Sequence, residues 1–116
     1  MITDEMKREV ADFIKTMIDS GKIGLGGNST TPTSTDLDVP LSSVTPTIVT
    51  SKSTDNVIEA KLSISGNSIQ GKVIREAGLF EASGEGGNMV QRVNFSGVGP
   101  FSTDETLEIF ILMEVE

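Results

Sequence analysis

Two pairs of closely spaced carboxylates, Asp36 with Asp38 and Asp104 with Glu105, are the first residues whose type and spacing suit chemistry. Oxygen ligands so placed could hold calcium, but neither pair has the ligand spacing of a helical calcium loop. Turn capping or simple solvation accounts for both. Gly24, Gly26 and Gly27 suggest a loop that cradles phosphate, yet no Lys-Ser or Lys-Thr follows them. They read as backbone bends beside a strand. Serine, threonine and lysine are plentiful, but no Gly-x-Ser-x-Gly elbow is present. With no histidine and no cysteine, the commonest general base, the thiolate nucleophile, thiolate metal ligands and disulfides are all excluded. No catalytic, cofactor-binding or metal-binding residue is assigned, and no cofactor is expected.

Arg75 and Glu76 are adjacent charges inside a β-type stretch, so their side chains point to opposite faces. Either one of them faces an interior or an interface, where it needs a partner, or the strand is an edge or exposed one with both charges solvated. Arg92 reaches Glu76 if 72–81 and 89–95 pair as a hairpin. That is a structural expectation with no catalytic content.

The elements that position these groups follow from periodicity. Met6, Val10, Phe13, Met17 and Ile18 recur at threes and fours, which predicts an amphipathic helix from Thr3 to about Ser20. Thr3 is the expected cap, Asp4 and Glu5 suit the first turn, and Gly21 suits a left-handed stop. A short strand is expected at Ile23–Gly27. Asn28–Ser43 reads as a long loop anchored by Leu37, Val39 and Leu41, with a helical turn near Asp36; it either serves binding or crosses one end of the fold.

From there the period becomes two. Val44–Lys52 is a strand that Pro46 places at an edge. In Val57–Ser65, Ile58, Ala60, Leu62 and Ile64 alternate with Glu59, Lys61, Ser63 and Ser65, a strand with one face on the core. Asp55-Asn56 supplies a hairpin turn between these two strands. Lys72–Glu81 and Met89–Phe95 are further strands, and Gly97, Gly99 and Pro100 end the second. The last strand starts at Asp104 or Glu105, with Leu107, Ile109, Ile111, Met113 and Val115 on one face and Phe110 and Leu112 on the other. A strand apolar on both faces needs cover on both, from the helix or from a second subunit.

The predicted fold is mostly β, an antiparallel β-sandwich with an N-terminal α-helix. The helix takes 1–21, and the sandwich takes 22–116, packed with it as one unit. A chain of 116 residues and 12.3 kDa is the size of one domain. Its net charge of -8 opposes binding to nucleic acid or to an anionic membrane and is compatible with docking onto a basic protein partner. Acids at the amino end and the lack of any run near ~18 apolar residues predict a soluble protein made in the cytoplasm. Met6, Val10, Phe13, Met17, Phe110 and Leu112 are the interface candidates.

Ile74-Arg75-Glu76-Ala77-Gly78-Leu79-Phe80, then Met89-Val90-Gln91-Arg92-Val93-Asn94-Phe95, then Leu107-Glu108-Ile109 resemble a small domain of bacteriophage and related tailed-virus proteins. That domain recurs in tail fibre and baseplate-associated proteins. With Ile23-Gly24-Leu25-Gly26 and Leu41 included, the resemblance spans 22–115. Its structural motif falls on Arg75, Glu76, Gly78, Leu79, Phe80 and Arg92. The resemblance implies a virion component without catalytic residues, not an enzyme, assembled in the host cytoplasm. Its partners would be other virion tail proteins and further copies of itself, with a host-surface receptor as an additional candidate. This chain has its own helix and lacks a long repetitive shaft, which favours a baseplate, tail-tip or adaptor role over a whole fibre. The alternative is a receptor or glycan-binding module at the tail tip, using Asn28–Ser43 or Gly84–Asn88. The absence of Trp and Tyr weighs against it.

Overall fold

Alternation of apolar and polar residues separates two sheets, and one helix closes an end between them. The computed structural model describes residues 1–26, 36–41, 44–81 and 88–116. The order is α1 (Asp4–Met17), β1 (Ile18–Gly24), β2 (Thr47–Thr54), β3 (Val57–Ser65), a 3₁₀ turn (Gly66–Ser68), β4 (Ile74–Glu81), β5 (Met89–Val98) and β6 (Thr106–Glu114). The chain is mostly β, with two antiparallel three-stranded sheets, β1-β4-β5 and β2-β3-β6, packed as a β-sandwich. Each strand sends alternate residues inward, which is the physical basis of the arrangement.

The interior has two ends. At one, Ile58, Ala60, Leu62, Ala77, Leu79 and Ile111 pack with Ala11 and Ile18. There α1 lies across the sandwich, with Ile14 against the same cluster. At the other, Ile23, Ile64, Ile74 and Leu107 pack around Ile69, which the 3₁₀ turn delivers fully buried. The turn is pressed onto the 102–105 connection. Gly66 N donates to the carbonyl of Glu105 at 2.7 Å, and a methyl on Gly66 would collide with the carbonyl of Ser102.

The helix is shorter than its periodicity predicts. It ends at Met17, and Ile18 turns to extended backbone and starts the ladder with β4, so 18–21 belong to the sheet. Gly21 is no left-handed stop. It lies in β1 facing inward, where a side chain would strike buried Leu62. The tertiary ladder outweighed a continued apolar stripe. The docked face of α1 also differs: Ala11 and Ile14 pack inward, while Met6, Val10 and Phe13 remain exposed. β2 starts after buried Pro46, at an edge as expected, and β6 starts at Thr106. Around Asp36 the described backbone bends without forming a helical turn.

One ion pair ties α1 to sheet β2-β3-β6. Lys52 Nζ donates to Asp12 Oδ1 at 2.7 Å. This hydrogen bond holds the Asp12 carboxyl below the usual carboxylate range; desolvation opposes it, and the charges of Lys52, Arg8 and Lys15 add to it. Because the folded value is the lower one, the tether contributes above the ordinary aspartate range and is lost as pH falls through the lowered value.

Two outcomes follow. Gly66→Ala lowers stability by about 1–3 kcal/mol, because backbone must move to admit the methyl; a denaturant midpoint equal to wild type refutes this packing account. Asp12→Asn is less stable than wild type at neutral pH, and the gap closes in acid, as paired unfolding curves at both pH values would record.

Candidate functional site

The outer face of sheet β1-β4-β5 carries the charged motif. Residues opposite one another across the ladder share a face, which sets three rows there: Ser20–Phe80–Met89, Lys22–Gly78–Arg92 and Gly24–Glu76–Asn94. Segment 36–41 folds over these rows. Its end extends β1: Leu25 N donates to the carbonyl of Val39 and Leu41 N to that of Ile23, both at 2.9 Å. Leu37 is buried on the bare backbone of Gly78, where a methyl would come within 3.2 Å of Leu37 Cδ2 and 3.1 Å of Phe80 Cε1. Lys22 stands 4.5 Å above the Phe80 ring and 3.4 Å from Asp36 Oδ1. Val39, expected as an anchor, is exposed, and Leu41 is half-buried.

Glu76 is fully buried, while Arg75 is exposed, so the adjacent charges divide as opposite faces require. Four donors converge on the Glu76 carboxylate. Oε1 accepts from Asp38 N at 2.8 Å and Arg92 Nη2 at 2.9 Å. Oε2 accepts from Val39 N at 2.8 Å and Gly26 N at 2.9 Å. The rest of the Arg92 guanidinium binds the carbonyl of Asp36 at 3.2 Å and Asn94 Oδ1 at 3.1 Å, and Nη2 lies 3.1 Å from Asp38 Oδ1. Gly24 and Gly26 provide the room. A methyl at either would lie within 2.9 Å of Glu76 Oε2. Gly24 and Gly26, which suggested a phosphate loop, are thus a berth for the protein's own carboxylate, while Gly27 lies outside the described residues.

Chemically, this cluster is a clamp. Both oxygens of Glu76 already accept two hydrogen bonds each, and the cation that balances it is engaged on several sides. Asp36 and Asp38 serve it through Lys22 and Arg92. At the second acidic pair, Ser102 Oγ donates to Asp104 Oδ1 at 2.7 Å, which lowers the Asp104 pKa, and Ser102 N donates to Glu105 Oε1 at 2.7 Å. This is turn chemistry. Among the described residues no group of three or more acidic side chains is arranged to hold a metal.

The interface candidates lie elsewhere. On α1, Met6, Val10 and Phe13 are exposed, Phe13 at 65%, and Met17 is half-buried. On the outer face of sheet β2-β3-β6, Phe110 is 57% and Leu112 60% exposed, so α1 does not cover this side of the last strand. Sequence reasoning missed Val49, 55% exposed, which lies in one row with Lys61 and Phe110. Its signal was the adjacent Ile48-Val49 pair, in which only one residue can face inward. A groove of about 430 Å³ runs between the end of α1, the start of β5 and the end of β6, lined by Ile14, Met17, Val90, Leu112, Met113 and Val115. The loop candidates 28–35, 42–43 and 84–87 lie outside the described residues.

Glu76→Ala leaves Arg92 without its buried partner and should cost about 3–5 kcal/mol, with Arg92→Ala comparable and the double variant well short of additive. Denaturant unfolding of the three variants measures this, and a Glu76→Ala midpoint at the wild-type value would refute the clamp. No family model and no curated protein matches this chain.

Proposed function

We propose that this chain is a non-enzymatic assembly subunit, acting by protein–protein contact in a homo-oligomer as a structural component of a viral tail, baseplate or tail tip. One observation carries the assembly part. Phe13 and Phe110, two of only five phenylalanines, stand largely in water, each beside further exposed apolar side chains. Burying such a side chain is worth about 1.5–3 kcal/mol, so the paired faces offer a real driving force to a neighbour. Charged residues border them: Glu59, Lys61, Glu108 and Glu114 surround Phe110 and Leu112. That pattern, apolar centre and polar rim, is the ordinary anatomy of an interface.

The tailed-virus setting rests on the resemblance carried by Ile74–Phe80, Met89–Phe95 and Leu107–Ile109. The motif residues support a structural reading of it. Glu76, Gly78, Phe80 and Arg92 all belong to the clamp or the rows beneath segment 36–41, Leu79 belongs to the core, and Arg75 is exposed. A resemblance concentrated on residues that hold the fold suits a subunit whose work is its shape.

The net charge of -8 makes copies repel one another, and the Debye length of about 8 Å at physiological salt limits that repulsion. Association therefore tightens as salt rises. Sedimentation at graded protein and salt concentrations should show oligomers that dissociate on dilution. The Phe110→Glu, Leu112→Glu double variant should be monomeric, with the unfolding midpoint of wild type diluted until it too is monomeric. A wild-type chain that stays monomeric at every concentration and salt level would end this reading.

A further inference from the structure

The free edges of the two sheets are not equivalent. β1 is partly covered by segment 39–41, through the Gly24–Pro40 bridge, and its ladder slips between Ile18 and Ser20. β2 follows Pro46, slips between Lys52 and Thr54, and turns Lys52 toward the inner face, where it pairs with Ile58 across the ladder. β5 pairs irregularly with β4 at two places and carries Gly97 at φ 119°. Each is a recognised device against edge-to-edge pairing: cover, proline, a bulge or an inward charge. β6 has none. It runs nine residues in unbroken register with β3, without Gly, Pro, Lys or Arg, and carries five consecutive apolar residues, Ile109–Met113. Among the described residues no strand pairs with its other side, and the 430 Å³ groove lies beside its carboxyl half.

We infer that β6 pairs antiparallel with β6 of a second copy about a two-fold axis at Phe110, joining two β2-β3-β6 sheets into one continuous sheet. The inference rests on the assembly reading above and specifies its geometry. A second copy can pair along the whole strand, and the charge pattern selects the register. Centred on Phe110, all nine residues find partners, because Thr106 then lies opposite Glu114 of the other copy. Glu108 faces Leu112, Phe110 faces Phe110, and inward-facing Ile109 and Leu107 meet Ile111 and Met113. Both glutamates thereby oppose uncharged residues. A register centred on Ile111 would set Glu108 directly against Glu114 twice, and like charges directly opposite are destabilising. One centred on Ile109 would leave Met113 and Glu114 beyond the partner strand. On the outer face the chosen register builds one row across the dimer, Val49–Lys61–Phe110 meeting its own image.

The absence of cysteine makes this directly testable. Thr106→Cys and Glu114→Cys sit at exposed positions at opposite ends of β6. A short homobifunctional thiol reagent should crosslink a mixture of the two variants into dimers. Each variant alone should stay uncrosslinked, because its two copies lie about 27 Å apart in this register. Sedimentation of the same samples separates the possible failures. If the protein associates but the mixture does not crosslink, or if either variant crosslinks to itself, the β6 pairing is overturned and the assembly reading stands. If the protein is monomeric throughout, the assembly reading itself falls.

Discussion

A carboxylate taken out of water must be supplied with hydrogen-bond donors, and that demand at Glu76 organises half of this protein. Its donors come from the exit of β1, from segment 38–39 and from β5. Burial of an unpaired carboxylate would cost several kcal/mol, so these segments are held together or the charge is not tolerated. The outer face of sheet β1-β4-β5 thus becomes interior without a third layer of secondary structure. Leu37 fills the space over Gly78, and Gly24 and Gly26 leave room for the carboxylate itself. Charge, space and chain path are one constraint at this point.

The second sheet is treated in the opposite way. Among the described residues no segment crosses the outer face of β2-β3-β6, where Val49, Phe110 and Leu112 stand exposed, and its β6 edge has no cover, proline, bulge or inward charge. The same architecture therefore has a self-sealed side and an open side. A fold of this size buries only about two-thirds of its unfolded surface, so some apolar area always remains outside. Among the described residues much of that area is gathered on one sheet face and one helix stripe, with Val39 and Val98 standing apart. Gathering is what distinguishes a contact surface from scattered exposure.

Much of the fold was legible in the residues. The strict alternation of Val57–Ser65 matches β3 at both ends, whereas β5 runs past the expected end at Phe95, through Gly97, to Val98 and stops only before Gly99-Pro100. The opposite-face rule for Arg75 and Glu76 left a buried charge and a solvated pair both open, and the hairpin that brings Arg92 to Glu76 decides for the buried charge. The helix was harder. Two stripes overlap on α1, and the bulkier one, Met6, Val10 and Phe13, drew attention while the smaller one, Ala11 with Ile14, made the contact. Close approach to strand ends favours a small side chain, and hydrophobicity alone does not register that. Ile69 and Val49 escaped notice because each sits where local period does not reveal which side is inside.

By itself the sequence determined which segments carry β2 to β6, that the amino end is helical, and that histidine and cysteine chemistry is absent, because these depend on residue type and near-neighbour spacing. Tertiary structure alone decided that Gly24 and Gly26 make room for Glu76, that Gly21 makes room for Leu62, that the helix yields to β1 at Ile18, and that one sheet is sealed while the other stays open. Each of these outcomes is a relation between segments far apart along the chain. Hydrogen-bond partners and burial are properties of such pairs, and no period within a single segment encodes them.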